Sequence, residues 1–80
     1  MLTDLAVRKA VPREKAYKLA DGGGLHLLVT PKGQRYWRMD YRFADKRGTM
    51  ALGVYPTVSL AEARDGRLKI KKQLAEGLNP

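Results

Sequence analysis

The spacing of apolar residues divides the chain into a short opening segment, a central part with strand-like periods and a C-terminal part with a helical one. At the start, Thr3 or Asp4 caps a short helix through about Lys9. The Val11-Pro12 step ends it, because proline disfavours helix in the residue before it. Tyr17 to Ala20 (YKLA) reads as a short strand, and Asp21-Gly22-Gly23-Gly24 as a turn, since glycine reaches positive φ without steric cost. LHLLVT (25–30) has the length and composition of a strand, closed by Pro31-Lys32-Gly33. Gln34 to Phe43 is the longest strand, Asp45-Lys46-Arg47-Gly48 its turn, and Thr49 to Tyr55 the last strand. Connections this short pair the strands as antiparallel hairpins.

After Pro56 the period becomes helical. Ser59-Leu60-Ala61-Glu62 matches a capping box, and Leu60, Ala63, Ile70, Leu74 and Leu78 fall on one stripe. Arg67 intrudes in that stripe and must reach water or a partner, while Gly66 weakens the helix by about 1 kcal/mol relative to alanine. Gly77 suits the C-terminal stop, and Asn79-Pro80 cannot continue the helix. The expected fold is α+β: an antiparallel sheet of three or four strands, one long C-terminal helix on one of its faces, and a short N-terminal helix.

Within the longest strand, YWRMDYRF (36–43) mixes aromatics with arginines, and alternation separates them. Trp37, Met39, Tyr41 and Phe43 fall on one face, which the helix must cover. Leu25, Leu27 and Val29 join them from the preceding strand, and Met50, Leu52 and Val54 from the following one. Tyr36, Arg38, Asp40 and Arg42 fall on the other face, left open because only one long helix exists. His26, Leu28, Thr30, Thr49, Ala51 and Gly53 are expected beside them, with Lys32, Arg35, Lys46 and Arg47 at the turns around the rim.

Charge sharpens this picture. Sixteen Lys/Arg against eight Asp/Glu give a net charge of +8, on a chain that is 44% hydrophobic. This is a folded basic domain, and polyanions are its natural partners: DNA, RNA or an anionic membrane surface. One or two exposed arginines would be only a solvated face with Asp40 as a weak ion-pair partner. A cluster on an open sheet in so basic a chain points instead to nucleic acid. The chain has no cysteine, hence no disulfide and no thiolate metal site, in keeping with a reducing cytoplasm. No apolar run approaches the ~20 residues that span a bilayer, and MLTDLAVRKA lacks the apolar stretch of a secretory signal.

Other features carry less. Gly22-Gly23-Gly24 lacks a following lysine and hydroxyl residue and does not open a helix, so it is a hairpin turn rather than a phosphate loop. His26 is the sole histidine and has no metal-ligating neighbours in sequence range, which leaves a strand-surface residue or a ligand contact. No nucleophile, base and acid assemble into a catalytic site, and nothing calls for a cofactor or a small-molecule substrate. Arg64, Lys69, Lys71 and Lys72 mark the outer surface of the C-terminal helix.

The strings DGGGLHLLVTPKGQRYWRMDYRF and TMALGVYPTVSLAEAR resemble the amino-terminal domain of phage-type tyrosine recombinases, the integrases of prophages and genomic islands. The opening LTDLAVRKAVP and closing LAEGLNP share the resemblance, which thus covers essentially all eighty residues. It implies that residues 1–78 form an arm-type DNA-binding domain and that 79–80 begin a linker to a core-binding and catalytic region. It also implies that this domain binds arm-type sites on double-stranded DNA in the bacterial cytoplasm, with its sheet in the major groove. Strand exchange would belong to a separate C-terminal domain, so Tyr17, Tyr36, Tyr41 and Tyr55 are not the nucleophile.

Carried onto this chain, the resemblance makes Tyr36, Arg38, Arg42 and Thr49 the candidates for base or nearby phosphate contact. Lys32, Arg35, Lys46 and Arg47 would grip phosphates, and His26 stays among the candidate contacts. Asp40 departs from a basic or neutral expectation; it either orients the arginines or accepts from a cytosine amino group. Two rival readings are an RNA-binding sheet on which Tyr36 stacks bases, and a module contacting another integrase protomer.

Overall fold

Thr3 begins the first ordered element in the computed structural model, which describes residues 1–80. Its Oγ1 accepts from the Ala6 N–H at 3.1 Å and caps α1 (Asp4–Arg8), whose Val7 is buried. Four strands follow: β1 (Tyr17–Gly22), β2 (Leu25–Val29), β3 (Arg35–Phe43) and β4 (Lys46–Val54). The last element is α2 (Leu60–Ala75). The strands form one antiparallel sheet in the order β1-β2-β3-β4, so the expected α+β architecture is the observed one.

Tight turns set the register. Gly23 and Gly24 have φ of +60° and +90° between the paired Gly22 and Leu25, the positive values that a two-residue hairpin requires. Gly24 is needed for a second reason, since a Cβ there would run into the Asp40 carbonyl oxygen on β3. The β3–β4 connection differs from expectation. Its two-residue loop is Ala44-Asp45, with φ of +50° and +64°, and Lys46, Arg47 and Gly48 already belong to β4. Gly48 looked like a turn residue, yet it lies opposite Tyr41, whose ring occupies the space a side chain would take.

Two bulges redirect side chains. In β4 the pairing shifts by one residue between Trp37–Gly53 and Arg38–Ala51, which makes Leu52 the extra residue. Leu52 packs on the helix side, where it meets Gly66 of α2. Gly53 also falls on that side, because a Cβ there would run into the Val58 side chain. Val54 is displaced to the open face opposite Tyr36 and is 43% exposed. The expected inward Val54 and outward Gly53 are therefore exchanged, because strict alternation holds only on one side of a bulge.

The second bulge is at Asp21, between the Ala20–His26 and Gly22–Leu25 pairs. Its carboxylate is turned inward and receives the Leu2 N–H at 2.8 Å, Arg64 at 2.8 and 3.0 Å, and Arg67 at 3.3 Å. Arg64 also donates to the Leu2 carbonyl, and Arg67 to that of Gly22. Arg67 thus finds the partner its position demanded, and Arg64 is drawn from the expected outer surface into the same cluster. These hydrogen bonds, first of all that from Arg64, hold the Asp21 carboxyl below its ordinary value against the opposing effect of burial.

The core lies between the sheet and α2, around Val7, Leu25, Leu27, Val29, Trp37, Leu60 and Ala63. Trp37 is fully buried, donates its indole N–H to the Val58 carbonyl at 2.8 Å, and meets Tyr55 edge-on. The capping box of α2 is formed in both directions between Ser59 and Glu62. Beyond Ala75, the Leu78 N–H bonds the Gln73 carbonyl and the Gly77 N–H that of Leu74, with Gly77 at φ +77°. No helix is long and apolar enough to cross a membrane.

Candidate nucleic-acid interface

β3 and β4 are each nine residues long, and β2 pairs only with Arg35–Met39 of β3, its neighbour Gly24 adding one bond to Asp40. From Tyr41 onward the two long strands continue as a two-stranded ribbon. Tyr41 and Phe43, expected under the helix, lie on this ribbon and are only partly buried.

Cross-strand pairing arranges the open face in rows. Lys18, Leu28, Tyr36 and Val54 form the first, and Ala20, His26, Arg38 and Ala51 the second. Asp40 and Thr49 form the third, and Arg42 and Arg47 the fourth, near the ribbon tip. Rows repeat every two residues, about 6.8 Å, so Tyr36 to Arg42 covers about 20 Å. The face therefore passes from an apolar end to a cationic one.

Arg38, Arg42 and Arg47 have no carboxylate within 4.0 Å; the ion pairs in the chain are those of Asp21 with Arg64 and Arg67, and a His26–Asp40 contact at 3.8 Å. Arg38 lies 5.9 Å from the centroid of the Tyr36 ring, at the outer limit of a cation–π contact. Asp40 is bound by Thr49, whose hydroxyl donates to Oδ1 at 2.9 Å. Asp40, Arg42, Arg47 and Thr49 line a shallow depression on this face. Unpaired guanidinium groups here offer up to five N–H donors each, and the strand sets the face from which each side chain leaves the backbone.

The other residues named from the sequence are distributed differently. His26 shares the face but is only 6% exposed, beneath its neighbours, with Nδ1 3.4 Å from the Gly24 carbonyl oxygen. Lys32 is exposed in the β2–β3 turn. Arg35 has the parity of Trp37, not of Arg38. Its guanidinium donates to the Val7 and Arg8 carbonyls at the end of α1 and lies 4.7 Å over the Tyr55 ring. Lys46 pairs with Phe43 and so has the parity of the helix side, whereas Arg47, expected at a turn, joins Arg42 on the open face. Lys18, Ala20 and Val54 complete the face without having been expected there. Lys18 was legible from the alternation of YKLA, but Val54 needed the bulge.

Comparison with known proteins shows the family of the chain. The model of the arm DNA-binding domain matches residues 2–80. The integrase of Enterobacteria phage P4 is 51% identical over 76 residues, which are 92% of this chain and 17% of that protein. Prophage integrase IntZ of Escherichia coli is 42% identical over 99% of this chain and 20% of its own length. The integrase of Shigella phage Sf6 is 38% identical over the whole chain and 21% of its own length. The chain thus spans about a fifth of these relatives. It belongs to the arm DNA-binding domain family of phage and prophage integrases.

Proposed function

We propose that this chain is the module by which a site-specific tyrosine recombinase holds arm-type attachment-site DNA in the bacterial cytoplasm, while strand exchange takes place in another part of the protein. The observation that carries this reading is the set of unpaired arginines, Arg38, Arg42 and Arg47, on an open sheet face. The projecting β3–β4 ribbon suits a major groove about 12 Å wide, which admits a two-stranded ribbon. Arginine bidentate to guanine O6 and N7 reads sequence there, and Leu28 and Val54 at the apolar end suit thymine methyl groups. Tyr36 and Thr49 complete the base-facing set, and Lys32, exposed in its turn, suits phosphate. The small share of each relative covered by the chain supports a binding role without catalysis.

Competition of attachment-site duplex against single-stranded RNA tests the reading. The duplex is expected to displace RNA, and Arg38→Ala is expected to weaken duplex binding by about 5- to 150-fold without lowering the melting temperature. Preference for the RNA, or undiminished binding by Arg38→Ala, would overturn the assignment. Self-association with no mobility change on duplex would favour a protomer-contact module instead.

A further inference from the structure

The open face carries one acidic residue at its centre, and a carboxylate there is a liability for any surface that grips only phosphate. Removing it would strengthen purely electrostatic binding, since each phosphate contact depends on positive charge. Asp40 is nevertheless held with care. Its N–H donates to the Gly24 carbonyl at 2.9 Å, and only glycine at position 24 leaves room for its own carbonyl. Its Oδ1 accepts from Thr49 at 2.9 Å, and its side chain remains 55% exposed. Orientation of the arginines is not its task, because neither Arg38 nor Arg42 comes within 4.0 Å of it.

We infer that Asp40 is a specificity-determining residue that accepts a hydrogen bond from an exocyclic amino group in the major groove, cytosine N4 first. The inference rests on the proposed binding mode. A carboxylate is acceptor-only, so it pairs with the cytosine or adenine amino group and is repelled by guanine O6 and N7, thymine O4 and phosphate. The Thr49 bond occupies one lone pair of Oδ1, and Oδ2 lies 3.8 Å from His26 Nδ1, beyond hydrogen-bond distance, so the half-exposed carboxylate keeps free acceptor capacity. Placed between the Arg38 and Arg42 rows, Asp40 would read an amino-bearing base lying between two guanine contacts. It gives up some affinity for all DNA in return for rejecting the wrong base, a repulsive element of the kind that specificity requires.

Selection from a pool of randomised duplexes by the wild type, Asp40→Asn, Thr49→Val and Arg38→Ala tests this. The wild type is expected to enrich a motif with a cytosine at one position, preferred by about 5- to 150-fold. Asp40→Asn keeps the shape and the Thr49 bond. It is expected to lose that preference, or move it to adenine, which asparagine reads bidentately, and to bind random duplex more tightly than the wild type. Thr49→Val, which leaves the carboxylate in place but frees it, is expected to blur the same position. If Asp40→Asn enriches the wild-type motif unchanged while Arg38→Ala alters it, the role of Asp40 is overturned and the binding face stands. If the wild type enriches no motif, both fall.

Discussion

Asp21 joins three distant parts of the chain: the N-terminal segment at Leu2, the first hairpin, and α2 through Arg64 and Arg67. A carboxylate buried in this way is stabilising only while it is ionised and its donors are present. Its pKa is depressed below the ordinary 3.8 in the folded chain, so its contribution is fully present above about pH 4 and is lost as pH falls through the lower folded value. Asp21→Asn is expected to cost about 2–3 kcal/mol near neutral pH. That is less than the 3–5 of a fully enclosed pair, because Arg64 is 31% exposed. The variant should also lose part of the acid-dependent fall in melting temperature that the wild type shows below pH 4. Equal melting temperatures at pH 7 would show that the cluster holds nothing together. The glycine run beside Asp21 was legible as a turn, and Arg67 as a residue in need of a partner. That the partner was Asp21 was not legible, because an extra residue in β1 turned this side chain inward.

At the scale of elements, the β3–β4 hairpin sets which side chains face outward. Its loop places Ala44 and Asp45 at positive φ, where an alanine side chain costs about 1–2 kcal/mol. Exchanging Ala44-Asp45 for Asn-Gly is therefore expected to stabilise the domain by about 1 kcal/mol, or about 4–8 °C in melting temperature. A fall in melting temperature would mean that this turn is not of the two-residue form. The same loop explains a limit of the sequence. Ala-Asp carries none of the usual signal for a two-residue hairpin, whereas Asp45-Lys46-Arg47-Gly48 imitates a longer turn. Parity along β3 was legible from YWRMDYRF alone, and it placed Trp37 and Met39 in the core and Arg38 and Arg42 outside. Along β4 it was legible only up to Leu52, since a bulge leaves no mark in hydrophobic spacing. The helix was the most legible element, because Ser59, Glu62 and Gly77 each act through local geometry.

For the whole molecule, the net charge of +8 draws any nucleic acid, so attraction alone does not identify the binding face. Two faces compete for that role: the open sheet with Arg38, Arg42 and Arg47, and the outer side of α2 with Lys69, Lys71 and Lys72, all exposed. Removing two cations from either changes the net charge equally, so any difference between the variants belongs to position. The deciding measurement is the affinity for attachment-site duplex of Arg38→Ala/Arg42→Ala against Lys69→Ala/Lys72→Ala, at one salt concentration. Two lost base contacts predict a fall of at least about 30-fold for the arginine pair. The lysine pair is expected to lose about 3-fold or less, with the wild-type preference over unrelated duplex intact. Equal losses from the two pairs, or a larger loss from the lysines, would contradict a sheet face that reads DNA.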